Sequence, residues 1–427
     1  MQRARIGARL LTTSRVAAER HVGADRTQST AFKKKYDDSK AKVKTGKTTS
    51  VNMSSANPLY YAGRPSPRLE MLGAQTAVPA HVNRVVGVDD GFMACLGPER
   101  FPGFLNVDFG LFGRPALLYR SQTQQLVDQL AQHAEAAPKR ASVLDGRCGT
   151  GKSAELLKLA SVAASQGHIV VYVPSTVRWV NSSQPYGPEP GGSGQFVQLE
   201  LAVELLRTMG GMCRAALVRV PLGRSAPLGK RTFSAENTLA DVVDAGLQTP
   251  GLAHGALDLL LDVASTQTSM PVLVAVDEVN ALWCETQYRD QDDTVLPAHR
   301  LRLISALLPF FEGTKTLARG WVLGATSHTD VRFMPKDLKL RLDPPLATPV
   351  ANPDLAKDPR NGSPPANLPF DTIRVDRFSP AEAWALMRFY HTTSIIASPV
   401  TEALVAKKWM VSSGNPREMF SSLTSFT

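Results

Sequence analysis

The sequence contains no run of about 18 apolar residues, so it offers no helix long enough to cross a bilayer. Cysteine is scarce. Cys95, Cys148, Cys213 and Cys284 are scattered through 427 residues without a C-x-x-C pair, which excludes a zinc ribbon or a disulfide framework. None of the eight histidines has a partner at H-x-x-x-H spacing, and no metal site built by the protein alone is expected. Acidic residues are thin at the start: residues 1–50 hold 13 Lys or Arg against four acids, while the remainder holds 35 against 34. The net charge of +10 is therefore an N-terminal property, and the rest of the chain is close to neutral.

That N-terminus carries Arg3, Arg5, Arg9 and Arg15 among Leu, Ala and hydroxyl residues, with no acid before Glu19. The composition is that of a mitochondrial transit peptide, assigned to residues 1–25, with a plain basic tail as the alternative. A second basic run, Lys33 to Lys47, has too few large apolar residues to fold alone. It suits either a phosphate backbone or a solvated tail. With Pro58, Pro65, Pro67 and Pro79 interrupting any helix, residues 26–104 read as an irregular arm.

What the chain does have is Gly146-Arg-Cys-Gly-Thr-Gly-Lys-Ser153, a complete G-x-x-x-x-G-K-[ST] phosphate-binding loop. Gly146, Gly149 and Gly151 permit the tight turn that aims successive N–H groups, including those of Arg147, Cys148 and Thr150, at one phosphate-sized space. Lys152 is placed to reach β- and γ-phosphates and Ser153 to hold Mg²⁺. The apolar run Ala141–Asp145 before it suits a buried strand, and Ala154–Ala164 after it has helical spacing. Gly46-Lys-Thr48 imitates the ending, but Ala41 stands where the first glycine belongs.

Further strands are expected at His168–Pro174, Pro271–Asp277, Gly320–Thr326 and Ile373–Asp376. Helices are expected from Pro115 through Leu130, around Phe196–Arg207, Thr238–Gly246, Leu257–Gln267 and 300–311, and in two pieces over 400–425. Residues 186–194 read as a loop, and Ser379-Pro-Ala-Glu382 is a capping box that starts a helix. Strands alternating with helices imply an α/β fold, a P-loop NTPase (AAA-like) doubly wound parallel sheet with a helical C-terminal part. The divisions are an arm to 104, a nucleotide-binding domain over 105–345, a Pro- and Asn-rich linker over 346–370, and a lid-like unit over 371–427.

The strand ending in Asp277-Glu278 has the form of a Walker B segment. Ligands bind at the carboxyl ends of parallel strands, which puts Asp277 beside Ser153 as a Mg²⁺ ligand. Glu278 stands where a water-activating carboxylate belongs. Thr326, Ser327 and His328 end the next strand, either as γ-phosphate sensors or as an ordinary strand end. Arg417 is either a lid arginine or an exposed helix-end charge. Arg300, Arg302 and Arg319 would serve as arginine fingers only in an oligomer, and Trp283 reads as core.

Several segments together carry a resemblance. Val274-Ala-Val-Asp-Glu-Val-Asn-Ala-Leu-Trp283 resembles the Walker B segment of the death-associated protein family, GTP-binding proteins of the mitochondrial small ribosomal subunit. Leu144–Ser153 resembles its P-loop, Val173 to Asn181 the segment after its second strand and Asn237–Gly246 a helix ahead of Walker B, while Ala325–Thr329 and Ser413–Glu418 match later landmarks, so the likeness covers about residues 105–427. It implies a structural ribosomal component of the mitochondrial matrix that contacts rRNA and neighbouring proteins and is not a homo-oligomer. It also implies bound GTP or GDP, rather than ATP, with Mg²⁺. Some members lack an acid where Glu278 stands, which suits a nucleotide held rather than turned over; Glu278 is present here, so an active matrix ATPase or GTPase is the second reading.

Overall fold

The computed structural model describes residues 68–96, 105, 109, 114–136, 138, 140–342 and 369–424. The expected transit peptide, most of the basic arm and most of the linker lie outside these residues. In chain order the main elements, short hairpins and 3-10 turns aside, are β1 (Arg84–Gly87), α1 (Asp90–Leu96), β2 (Ala116–Tyr119), α2 (Ser121–Glu135), β3 (Ser142–Asp145), α3 (Lys152–Ser165) and β4 (Ile169–Val173). Then come α4 (Val177–Val180), α5 (Leu199–Val218), α6 (Leu239–Gln248), α7 (Ala253–Thr266) and β5 (Val272–Asp277). The last are α8 (Arg302–Glu312), β6 (Gly320–Ala325), α9 (Lys336–Leu342), β7 (Asp371–Arg374), α10 (Pro380–Thr392), α11 (Glu402–Val411) and α12 (Pro416–Thr424).

Five strands form one parallel sheet in the order β7-β3-β6-β5-β4. Alternation along each strand sends successive side chains to opposite faces. Val143, Val171, Val274 and Val322 pack with α5, α6, α7 and α8 on one face. Leu144, Tyr172, Leu273 and Trp321 pack with α1, α2 and α3 on the other. Both faces are covered, which is why these strands read as continuous apolar runs. The chain is thus a mixed α/β protein built on a parallel five-stranded sheet.

The structure corrects the sequence in three places. Ala116–Tyr119 is not the first turn of a helix but β2, antiparallel to β1; the helix starts only at Ser121. All four strand residues are buried, and an apolar run this short has no period to distinguish strand from helix. Within the arm read as irregular, β1 and α1 are ordered: Val86, Phe92 and Leu96 enter the core under α3. Finally, Phe196-Val197 pairs with Gly187-Pro188 as a short hairpin around the expected loop, and α5 begins at Leu199 and runs to Val218.

The C-terminal helices keep their expected starts. Ser379 Oγ accepts from the Glu382 N–H and Glu382 answers at the Ser379 N–H, with Pro380 in the first turn. α11 and α12 are separated at Gly414-Asn415.

Candidate functional site

The carboxyl ends of the three middle strands converge on one open cleft. β3 runs into the glycine loop, β5 ends at Asp277 and β6 ends ahead of Thr326. The cleft is lined by Cys148, Gly149, Gly151, Lys152 and Ser153 from the loop, by Asp277 and Glu278, by residues 326–329, and by Arg417. The structure therefore brings together the residues that sequence placed in two distant motifs.

Gly151 caps α3 at φ 101°, a backbone that strains any residue with a Cβ. The amino end of α3, with its partial positive charge, faces the cleft. Lys152 is buried, and its Nζ donates to the carbonyls of Gly146 at 2.6 Å and Arg147 at 3.0 Å. Burial lowers the Lys152 pKa, with Asp145, Cys148 and Asp277 opposing. Thr150 is buried and donates to Arg147 O, bracing the loop from within.

Asp277 is 1% exposed. Its Oδ1 accepts from the Glu278 N–H at 2.8 Å, while Oδ2 has no hydrogen-bond partner. Burial, then the neighbouring Glu278 charge, push its pKa up to about 7, with Ser153 and Lys152 pulling the other way. A buried carboxylate oxygen without a donor is costly unless something else binds it. Oxygen donors from Asp277 and Ser153 beside an anion cradle fit a hard divalent cation such as Mg²⁺. Among the described residues no group of three or more His, Cys, Asp or Glu makes a self-sufficient metal site. A cation here would need further oxygens from a ligand such as a polyphosphate.

Glu278 has a left-handed backbone, φ 57°, rare for a residue with a side chain. Thr176 fixes it by donating to the carbonyls of both Asp277 and Glu278 at 2.6 Å. The Glu278 carboxylate accepts from Ser175 Oγ and from the Val177 N–H at 3.3 Å, at the start of α4. Burial raises its pKa, with those two donors opposing.

Sequence reasoning did not find Asp145 or Asn415. Asp145 Oδ1 accepts from Thr326 Oγ1 at 2.5 Å and interacts with His328 Nε2 at 3.1 Å. Burial raises its pKa, yet His328 and Thr326 outweigh this and hold it below the usual range. Thr326 and His328 are thus tied to a carboxylate on the neighbouring strand. The available signal was a carboxylate ending the strand before a glycine loop. Asn415 Nδ2 donates to Cys148 O at 2.8 Å, its Oδ1 accepts from the Arg417 N–H, and a Cβ on Gly149 would lie 2.6 Å from that oxygen. The C-terminal unit rests on the glycine loop. Arg417 is exposed, as its helix-end position suggests, but it also lines the cleft, with Nη1 3.7 Å from Cys148 Sγ.

The other arginines are engaged elsewhere. Arg302 pairs with Asp258 at 2.5 Å and with Glu189. Arg319 precedes β6 at the opposite end of the sheet and donates to Ala134 O and Thr268 O. Arg300 donates to Gly194 O. Trp283, read as core, is only half-buried and packs on Phe311 and Phe370 at the edge of the core.

Residues 117–422 match the family model described as mitochondrial ribosomal death-associated protein 3. The chain belongs to this family. It is 26% identical over 333 residues to small ribosomal subunit protein mS29 of Schizosaccharomyces pombe, covering 74% of this chain and 66% of the relative. The Bos taurus protein of the same name is 25% identical over 264 residues, 60% of this chain and 65% of the relative. The Mus musculus protein is 25% identical over 214 residues, 49% and 55%. The matches thus span somewhat less than two thirds of these relatives.

Proposed function

We propose that this chain is a structural protein of the mitochondrial small ribosomal subunit that holds a guanine nucleotide with Mg²⁺ in the cleft between the glycine loop and Asp277. Family membership supports the ribosomal part and its contacts with rRNA and neighbouring proteins; the basic N-terminus suits import into the matrix. The nucleotide reading rests on one observation above all. Asp277 presents a buried, partnerless oxygen beside Ser153 and Lys152, at the amino end of a helix. In a P-loop protein Lys152 would leave the loop carbonyls for the phosphates, Ser153 and Asp277 would hold the cation, and the loop N–H groups would cradle the anion. The guanine preference is carried over from the resemblance.

The second reading, an active matrix NTPase, is favoured by Glu278 lining the cleft next to Asp277. Its carboxylate is engaged by Ser175 and Val177, which suits a nucleotide held rather than turned over. A hydrolysis rate that collapses in Glu278→Gln would support the active enzyme.

Sedimentation from mitochondrial lysate tests the ribosomal reading, with co-migration with the small subunit as the expected result. GTP with Mg²⁺ at about 1,000 times its dissociation constant should stabilise the purified protein by roughly 4 kcal/mol. Lys152→Ala should abolish that increment. An equal increment in the variant would refute the site.

A further inference from the structure

We propose that Asn280 fixes the wall of the cleft that meets a terminal phosphate, and so makes the protein favour a nucleoside triphosphate over a diphosphate. This role deepens the nucleotide reading above and rests on it. Asn280 belongs to the stretch after Asp277-Glu278 that carries the family resemblance, yet it does not line the cleft itself. It acts as a positioning residue.

The chain reaches Asn280 by a sharp turn. Glu278 is left-handed, φ 57°, and Val279–Trp283 follow as one 3-10 turn. That turn lies directly on β6: a Cβ on Gly324 would come 3.1 Å from the Val279 Cβ, tighter than ordinary contact. Asn280 is 1% exposed. Its Oδ1 accepts from the Ser327 N–H at 2.8 Å, and its Nδ2 donates to the Phe333 carbonyl at 2.8 Å. One amide thus grips both ends of residues 327–333. Ser327, His328 and Thr329, which line the cleft, lie inside that grip.

The place of this wall along the phosphate chain gives it selectivity. A cation held by Ser153 and Asp277 would bridge the β- and γ-oxygens of a triphosphate, which puts the far end of the chain at Asp277. Ala325 pairs with Asp277 across the sheet, so the residues leaving β6 stand beside that end. They face the terminal phosphate, and a diphosphate stops short of them. Polar groups discriminate well only when held within about 0.5 Å of their working position. The Asn280 amide supplies that hold from beneath, buried from water with donor and acceptor both satisfied.

Calorimetric titration of the purified full chain with GTP and with GDP, each with Mg²⁺, tests the role. Wild type should bind GTP more tightly than GDP. Asn280→Leu keeps a similar volume without donor or acceptor, and should weaken GTP at least tenfold but GDP no more than twofold. Unchanged GTP affinity, or a loss shared equally by both nucleotides, would overturn the proposal, as would wild type that binds the two alike. If Asn280→Leu does not fold, Asn280→Ser, too short to span Ser327 and Phe333, should show the same selective loss. Failure of both variants to fold would make Asn280 a residue of the fold alone and also overturn it. Wild type that binds neither nucleotide would instead refute the nucleotide reading, and this proposal with it.

Discussion

Two groups of buried charge flank the glycine loop, and they are balanced in opposite ways. Beneath the loop, Arg120, Glu155, Lys158 and Glu382 are each no more than 4% exposed and form a closed set. Arg120 Nε donates to Glu382 at 2.9 Å, and its Nη2 to the carbonyls of Asp376 and Arg377. Lys158 donates to Glu155 at 2.9 Å, to Thr123 Oγ1 and to Leu118 O, while Thr123 donates to the other Glu155 oxygen. Above the loop, Asp277 and Glu278 stand side by side, Lys152 leans away onto loop carbonyls, and one Asp277 oxygen has no donor. A closed set of charges joins elements; an open one leaves a buried oxygen whose cost only a further partner would offset.

The closed set offers the largest effect. Arg120 touches α2, the carbonyl of Thr150, the segment after β7 and α10, and so connects the sheet to the C-terminal unit. Arg120→Met keeps most of the volume and leaves two buried carboxylates short of a cation. Removing one member of a buried ionic set costs about 3–5 kcal/mol. Denaturant unfolding should show that loss, with faster proteolysis after residue 374. A cost below about 1 kcal/mol would show that the set does not join the two parts.

The open set should respond to pH in a direction that depends on its incompleteness. Asp277 is held at about 7 in the folded chain, against an ordinary value of 3.8. The native state therefore keeps a proton that the unfolded chain releases. Its contribution is fully present below about pH 4 and is lost as pH rises through 7. Ligand-free wild type should lose stability relative to Asp277→Asn across this window, ending a few kcal/mol lower at pH 8. His168 and His254 run oppositely: burial drops each to about 4, so their contributions are present above about 6.5 and fade as pH falls. They are common to both proteins and cancel in the comparison. A constant gap between the two proteins would show that Asp277 keeps its ordinary pKa.

The open set was far easier to read from sequence than the closed one. Glycine loop and Walker-type strand are local patterns, each written in a few consecutive residues, and the parallel strands declared themselves through apolar runs. Arg120 and Glu382 lie 262 positions apart, and nothing near either residue announces the other. Four apolar residues fit either a strand or a helix, and only the pairing with β1 makes β2 a strand. Asp145 stands next to the motif, yet its partners Thr326 and His328 arrive from another strand. Sequence shows chemistry that is contiguous; chemistry assembled across the fold needs the fold.

Asn415 sits where the two regions meet, and it sharpens the contrast between them. Its Nδ2 donates to Cys148 O at 2.8 Å and its Oδ1 accepts from the Arg417 N–H at 3.0 Å, so one amide both holds the loop and starts α12. If the C-terminal unit only packs against the sheet, Asn415→Ala should cost about 1 kcal/mol, the worth of a hydrogen bond, and leave GTP affinity untouched. If the unit shapes the cleft, the same stability loss should come with a several-fold weaker GTP affinity, because the loop and Arg417 lose their common anchor. The contact at Gly149 favours the second outcome: a Cβ there would strike Asn415 and Arg417, so the two surfaces are fitted to each other. Calorimetric titration of Asn415→Ala with GTP and Mg²⁺, alongside its denaturation curve, separates the two cases. An unchanged affinity would confine the C-terminal unit to the closed set and leave the cleft to the sheet alone.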